Sequence, residues 1–139
     1  MVALALICSK HSWLTKNPHS PNLALMEILT HQIAIPELKI MAERIFGNMI
    51  KAVVDVRKKV IVLDAELHAD EESMLLENGS DQQDLWGINI YPDMDRTSPD
   101  FVEFDSMINL RPSQNNRSRG VEDSSIREAI IKIVNEWII

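Results

Sequence analysis

The chain has 139 residues, 45% of them hydrophobic, which is enough for one domain with a modest core. Its formal net charge of −7 argues against broad electrostatic binding to nucleic acid or to an anionic membrane surface. The single cysteine, Cys8, excludes an internal disulfide and fits a reducing, cytoplasmic compartment. No apolar run reaches the roughly 18 residues that a membrane span needs.

The first 25 residues pattern differently from the rest. The apolar run Met1–Cys8 has no positive residue before it and no small-residue cleavage site after it, so it does not fit a signal peptide. Pro18 and Pro21 then interrupt the chain. We predict that residues 1–25 are an extension or a loosely ordered tail and that residues 26–139 form a single α+β domain. An extra strand or helix packed on that domain is the alternative.

From Met26 onward, helical and strand patterns follow one another with short connections. Pro36 suits a first helical position, and Gly47 ends the apolar stripe that follows it. Ser125-Ile-Arg-Glu128 is a capping box for the last helix, although Asp123 is an alternative cap. Paired strands with helices between them indicate a two-layer α+β sandwich, with a largely antiparallel four-stranded sheet under two main helices and one short extra helix. The predicted elements are a strand or lead-in over 27–33, a helix over 36–46, strands over 51–56 and 59–67, a short helix over 70–77, strands over 85–91 and 101–110, and a helix from 125 onward.

The strand pattern also places the polar residues. Side chains alternate between the two faces of a strand, so the apolar and polar sets of each predicted strand separate. If the apolar sets face the helices, the polar sets lie together on the uncovered face, near the strand ends. This expectation applies to Glu66, His68, Asn89, Asp105 and Arg111.

Three of these residues are candidates for catalysis: Glu66, His68 and Asp105. His68 would act as a general base with Glu66 as its orienting partner. Together with Asp70 they are also ligand types for a divalent metal, since carboxylates suit magnesium or manganese and an imidazole allows zinc. The alternative is that these acids form the solvated face of a half-buried sheet, and that Asp70 only meets the dipole of the helix it starts.

The sharpest change of charge falls at Ser106. Residues 64–105 contain thirteen acids and one base, whereas residues 106–120 contain three arginines and no acid. We call the segment from Arg111 to Gly120 the arginine loop. Guanidinium groups and amides beside a helix start suit a phosphate or carboxylate, although internal pairing with Glu66, Asp105 or Glu122 is equally compatible. The candidate ligand-binding residues are Arg111, Ser113, Asn115, Arg117, Ser118, Arg119 and Gly120.

Three segments resemble a family of short prokaryotic proteins known only as a domain of unknown function. They are Glu66–Glu72, Trp86–Pro92 and Phe104–Gly120. The resemblance covers about residues 26–139 and implies a small, soluble, cytoplasmic protein that begins near Met26. Because no activity is assigned to that family, the resemblance implies no catalytic residue.

Two hypotheses of function follow. In the first, the arginine loop holds a small anionic ligand while the three catalytic candidates supply acid–base chemistry or bind a divalent metal, which would make the protein a metal-assisted hydrolase. In the second, the protein is not an enzyme, and the arginine loop docks on an acidic surface of a partner or of a second copy. A concave pocket that holds arginines and carboxylates together would favour the first hypothesis, and a flat surface would favour the second.

Overall fold

A computed structural model describes residues 26–139, so the predicted tail over residues 1–25 lies outside the described residues. Within residues 26–139, no helix is both long enough and apolar enough to cross a membrane. The helices and strands are β1 Glu27–Ile28, α1 Ile35–Ile45, β2 Ile50–Asp55, β3 Val60–Leu63, α2 His68–Glu77, β4 Leu85–Ile90, β5 Val102–Glu103 and α3 Ser124–Trp137.

The strands form one sheet in the order β1-β3-β2-β4-β5, and every neighbouring pair is antiparallel. The predicted α+β fold with a largely antiparallel sheet is therefore confirmed. The sheet has five strands instead of the predicted four. Its two edge strands, β1 and β5, are each only two residues long.

The hairpin between β2 and β3 turns through a basic sequence because Asp55 organises it. The Oδ1 atom of this buried carboxylate accepts hydrogen bonds from the amides of Arg57 and Lys58, at 2.9 and 2.8 Å. Its Oδ2 atom accepts the Ser80 hydroxyl at 2.6 Å. Lys59 then adopts a left-handed conformation, with φ of 59°, and the chain returns as β3. A side-chain acceptor thus replaces the glycine or asparagine that usually makes such a turn.

The two faces of the sheet are covered differently. Helices α1 and α3 pack on one face and form the larger core, which includes Leu38, Trp86 and Ile130. Helix α2 packs on the opposite face, where Leu75 contacts a smaller core around Val53. The expectation of an uncovered polar face was therefore wrong in part, because the short helix shields some of it.

Two strands end earlier than predicted, and this changes the position of the polar residues. Asp64 adopts φ of 78°, which ends β3 at Leu63 and allows His68 to become the first residue of α2. Residues 106–110 leave β5 as a 3-10 turn over Met107–Asn109, which Ser106 caps. Strand alternation therefore applies to Asn89 but not to His68 or Arg111.

Candidate functional site

The arginine loop begins at the outer edge of β4, where a side chain takes the place of a strand. The Asn109 carboxamide accepts a hydrogen bond from the Gly87 amide at 2.8 Å and donates to the Gly87 carbonyl at 2.9 Å. Asn109 is fully buried, and it also donates to the carbonyl of Arg119 at 3.0 Å. Ser106 lies so close to Gly87 that a Cβ atom on this glycine would be 2.5 Å from its Oγ. The start and the end of the loop are thus both fixed against the sheet.

A second asparagine braces the loop from within. The buried Asn116 side chain donates to the carbonyls of Asn109 and Gly120, at 2.7 and 2.8 Å, and accepts the amide of Glu122 at 2.9 Å. Asn115, just before it, adopts a left-handed conformation with φ of 60°. These bonds satisfy loop carbonyls that water would otherwise have to reach, so the backbone is held in one conformation.

Arg111 is buried and makes contacts within the domain. It is only 8% exposed, and its Cζ atom lies 4.0 Å from the centroid of the Trp86 ring. Its guanidinium donates to the carbonyl of Gln82 at 2.5 Å and to the carbonyl of Leu85. Burial lowers the pKa of Arg111 from its ordinary value, and the charges of nearby acids oppose this effect. The predicted ligand-binding role of Arg111 therefore competes with a set of internal contacts.

The other two arginines differ from Arg111 and from each other. The Nε atom of Arg119 lies 2.7 Å from Oδ1 of Asp105, and both side chains are about half exposed. Arg117 is exposed, and its guanidinium makes no hydrogen bond or ion pair within residues 26–139. The predicted internal pairing thus holds for Arg119, while Arg117 presents an uncompensated positive charge to solvent.

The backbone of the loop binds a carboxylate. The Oε2 atom of Glu122 accepts hydrogen bonds from the amides of Arg117 and Ser118, at 2.5 and 3.1 Å. The next residue, Asp123, caps α3 by accepting the amide of Ser125 at 2.8 Å, so the helix start is occupied by an acid of its own. The two adjacent amides are the part of the loop where the structure shows an anion in place.

The remaining predicted ligand residues are peripheral to these two amides. Ser113 and Asn115 are exposed, and their side chains make no hydrogen bond within the described part of the chain. The Ser118 hydroxyl accepts the amide of Gly120 at 3.2 Å, which tightens the turn. The structure thus brings together Arg117, Ser118 and Arg119, and it sets Arg111 apart.

His68 is buried at the start of α2. Its Nε2 atom lies 2.7 Å from the carbonyl oxygen of Ile88, and because a carbonyl only accepts, Nε2 carries the proton and Nδ1 is the basic nitrogen. Burial lowers the pKa of His68 to about 4, although the bond to Ile88 opposes this shift. A backbone carbonyl therefore takes the position at Nε2, and the orienting role of Glu66 stays a prediction.

The predicted metal ligands are not gathered. Among residues 26–139, no three histidine, cysteine, aspartate or glutamate side chains lie close enough together to hold a metal ion. Glu66 is exposed, while Asp105 is engaged by Arg119. The four side chains predicted as a ligand set, Glu66, His68, Asp70 and Asp105, therefore do not form a metal centre in this fold.

The sequence reasoning missed two buried carboxyls, one just after β3 and one in the first turn of α2. Glu71 is fully buried, and its Oε2 accepts only the amide of Ala65 at 3.3 Å, while burial raises its pKa well above the usual value. Burial also raises the pKa of Asp64 to about 6, although Arg44 pairs with it at 2.5 Å. The spacing of 68, 71 and 75 is that of the buried face of a helix, and this signal would have found Glu71.

Two surface depressions lie away from the arginine loop. One is lined by residues that include Lys39, Gly47 and Asp93. The other lies beside Phe46 and Lys51. Both are shallow, and neither encloses the volume of an ordinary small-molecule site. The loop residues line neither of them.

The fold and the site together define a small α+β protein with an internally braced, solvent-exposed arginine loop. The chain belongs to the family described as proteins of unknown function, DUF5674, whose profile matches residues 27–137. The predicted membership of an uncharacterised family is thereby confirmed. No curated protein and no solved structure is significantly similar to the chain.

Proposed function

We propose that this protein is a non-enzymatic binding protein that uses the exposed half of the arginine loop to hold an anionic group of a partner. The observation that carries the proposal concerns Arg117. Its guanidinium has no partner within residues 26–139, and its backbone amide already binds the carboxylate of Glu122. Backbone amides and a guanidinium are the two donor types that proteins combine to bind carboxylates and phosphates.

The bracing of the loop supports binding. Asn116 and Asn109 fix the carbonyls on the inner side of the loop, so the amides and Arg117 are held in place before a ligand arrives. A loop that is ordered in advance loses less conformational entropy on binding, which strengthens association.

The exposure of the site favours a large partner over a small metabolite. Arg117, Ser118 and Arg119 are all exposed, and neither depression of the surface includes them. A small ligand on such a surface would remain mostly hydrated, whereas a protein that carries the anion can add contacts around it. The anion is therefore proposed to be displayed by a macromolecule.

Titration of the full chain with hexaglutamate peptide tests the proposal. Binding is measured by calorimetry and by the change in melting temperature. Wild-type protein should bind the peptide, with an affinity that falls as salt is added. The variant Arg117→Ala should lose binding, whereas Lys132→Ala, which removes an exposed cation on α3, should retain it. Equal binding by both variants, or no binding by wild-type protein, would refute the proposal.

A second copy of the chain is one partner to test. The chain carries 21 acids against 14 Lys and Arg, so a neighbouring molecule offers many carboxylates. Sedimentation velocity at low and high salt would show a salt-sensitive dimer if the loop of one copy docks on another, and Arg117→Ala would abolish it. If the protein stays monomeric at every salt concentration, the partner is a different protein and not a second copy.

A second candidate function, acid–base catalysis at His68, is favoured by the tautomer that Ile88 imposes. Nδ1 is left as a proton acceptor, and the Asp105 and Arg119 charges lie close enough to affect its pKa. Hydrolysis of p-nitrophenyl phosphate, with and without Mg²⁺, by wild-type protein but not by His68→Gln would support this function. Hydrolysis rates equal to the buffer blank for both proteins would contradict catalysis at His68.

A further inference from the structure

We infer that Glu122 is an internal stand-in for the ligand of the arginine loop, and that the natural ligand is an aspartate or glutamate side chain in an acidic segment of a partner protein. This inference rests on the proposed function and specifies its ligand. A partner of this kind would displace the Glu122 carboxylate from the amides of Arg117 and Ser118 and take its place.

The charge of the site selects a carboxylate over a phosphate. Of the three arginines of the loop, Arg111 is committed to Gln82 and Leu85, and Arg119 is neutralised by Asp105, so Arg117 is the one with an uncompensated charge. The nearby Arg127 guanidinium is directed to the backbone carbonyls of Val121 and Glu122. Two amides and one guanidinium match a single negative charge. A phosphate dianion would leave a second negative charge without a cationic partner among the loop arginines, which disfavours it.

The contacts of Glu122 allow its side chain to leave without opening the loop. The carboxylate is exposed, and its Oε1 atom makes no hydrogen bond within residues 26–139. The loop is closed instead by the backbone amide of Glu122, which donates to Asn116 at 2.9 Å. Hydrogen bonds at exposed sites contribute little net free energy, so an external carboxylate can compete with the tethered one.

Removal of this competitor should strengthen binding. If the site is free of Glu122 in only about a tenth of the molecules, its apparent affinity for a ligand is lowered about tenfold. The variant Glu122→Gln weakens the internal contact and removes a negative charge from the site. Its dissociation constant for acetate should then be about tenfold lower than that of wild-type protein. Glu77→Gln, which neutralises an exposed acid at the end of α2, is the matched control and should behave as wild type.

The measurement is an NMR titration of the ¹⁵N-labelled full chain with sodium acetate and, separately, with inorganic phosphate. The amides of Arg117 and Ser118 should respond to acetate, more strongly in Glu122→Gln, and a further Arg117→Ala change should weaken this response. Slow exchange of the backbone amide of residue 122 would show that the variant loop is still closed. If it is lost, Glu122→Asp, which shortens the side chain and keeps the charge, replaces it.

The outcomes separate this inference from the proposed function. Equal affinity of wild-type protein and Glu122→Gln for acetate would overturn the role of Glu122 and leave the binding site in place. Tighter binding of phosphate than of acetate would overturn the ligand class. A lack of response at Arg117 and Ser118 to both anions in every variant would overturn the inference and the proposed function together.

Discussion

The Arg111 guanidinium lies over the Trp86 ring, with 4.0 Å between its Cζ atom and the ring centroid, and it donates to the carbonyls of Gln82 and Leu85 at the start of β4. Trp86 is 2% exposed and belongs to the larger core. The stacked pair therefore fastens the first residue of the arginine loop to the interior of the domain. Arg117 and Arg119 can then be displayed at the surface without a flexible attachment.

Replacement of Arg111 by lysine should destabilise the fold by about 2 kcal/mol, because an ammonium group neither stacks on an indole in this way nor reaches two carbonyls with a planar fork. Urea denaturation would measure the loss. Arg119→Lys is the matched control, since its partner Asp105 is half exposed, and it should change stability by less than about 1 kcal/mol. Equal effects of the two changes would contradict the structural role of Arg111.

Replacement of Glu71 by glutamine should change how stability depends on pH. Burial raises the pKa of Glu71 above its ordinary value of 4.5, so the folded state keeps a proton that the unfolded chain has lost. Wild-type stability should therefore fall as pH rises above 4.5, by about 1.4 kcal/mol per pH unit relative to Glu71→Gln, until the folded pKa is reached. Parallel stability curves for the two proteins between pH 5 and pH 7 would show that Glu71 is ionised in the fold.

His68 should produce the opposite trend in an overlapping range of pH. Burial lowers its pKa from 6.5 to about 4, so between these pH values the unfolded chain binds a proton and the folded state does not. The contribution of the neutral imidazole is complete above pH 6.5 and should be lost as pH falls toward 4, by about 3 kcal/mol in total. NMR of the ring nitrogens should show a proton on Nε2 and no titration above pH 5. A midpoint near 6.5 would contradict this prediction.

Replacement of Gly87 by alanine should cost about 1–3 kcal/mol, since the new Cβ atom would lie 2.5 Å from the Ser106 hydroxyl and 3.2 Å from a side-chain carbon of Ile108. A double-mutant cycle with Ser106→Gly tests the cause, because removal of that side chain should restore part of the loss. Additive effects of the two changes in thermal melts would show that the contact with Ser106 is not responsible.

Much of the fold was readable from the sequence where local signals agree with the final packing. The helix that starts near Pro36, the strand pair on either side of Arg57 and the final helix after Asp123 all follow from periodicity and capping. The predicted strand over 101–110 ends at Glu103, because Ser106 caps a 3-10 turn and Asn109 contacts the edge of β4 through its side chain. A period-2 pattern does not distinguish such a segment from a true strand.

The arrangement of the site depended on contacts that sequence patterns do not report. Arg111 and Arg117 have the same chemistry and lie six positions apart, yet one stacks on Trp86 and the other faces solvent. His68 was placed by strand alternation because no glycine marks the left-handed turn at Asp64. Charge segregation drew attention to the loop, but it could not show that the Glu122 side chain accepts hydrogen bonds from the amides of the loop.

The pairing of the two ends of the domain has a consequence for its synthesis. The Ile33 amide donates to the carbonyl of Trp137 at 2.8 Å, and the Ile139 amide donates to the carbonyl of Ile33 at 2.9 Å. Ile138 between them is fully buried in the larger core. Contacts between segments so distant along the chain carry a loop-closure entropy cost that slows folding. The nascent chain cannot complete its core until Ile138 has been translated, so a shortened product would expose the apolar side of α3 and be prone to aggregation and proteolysis.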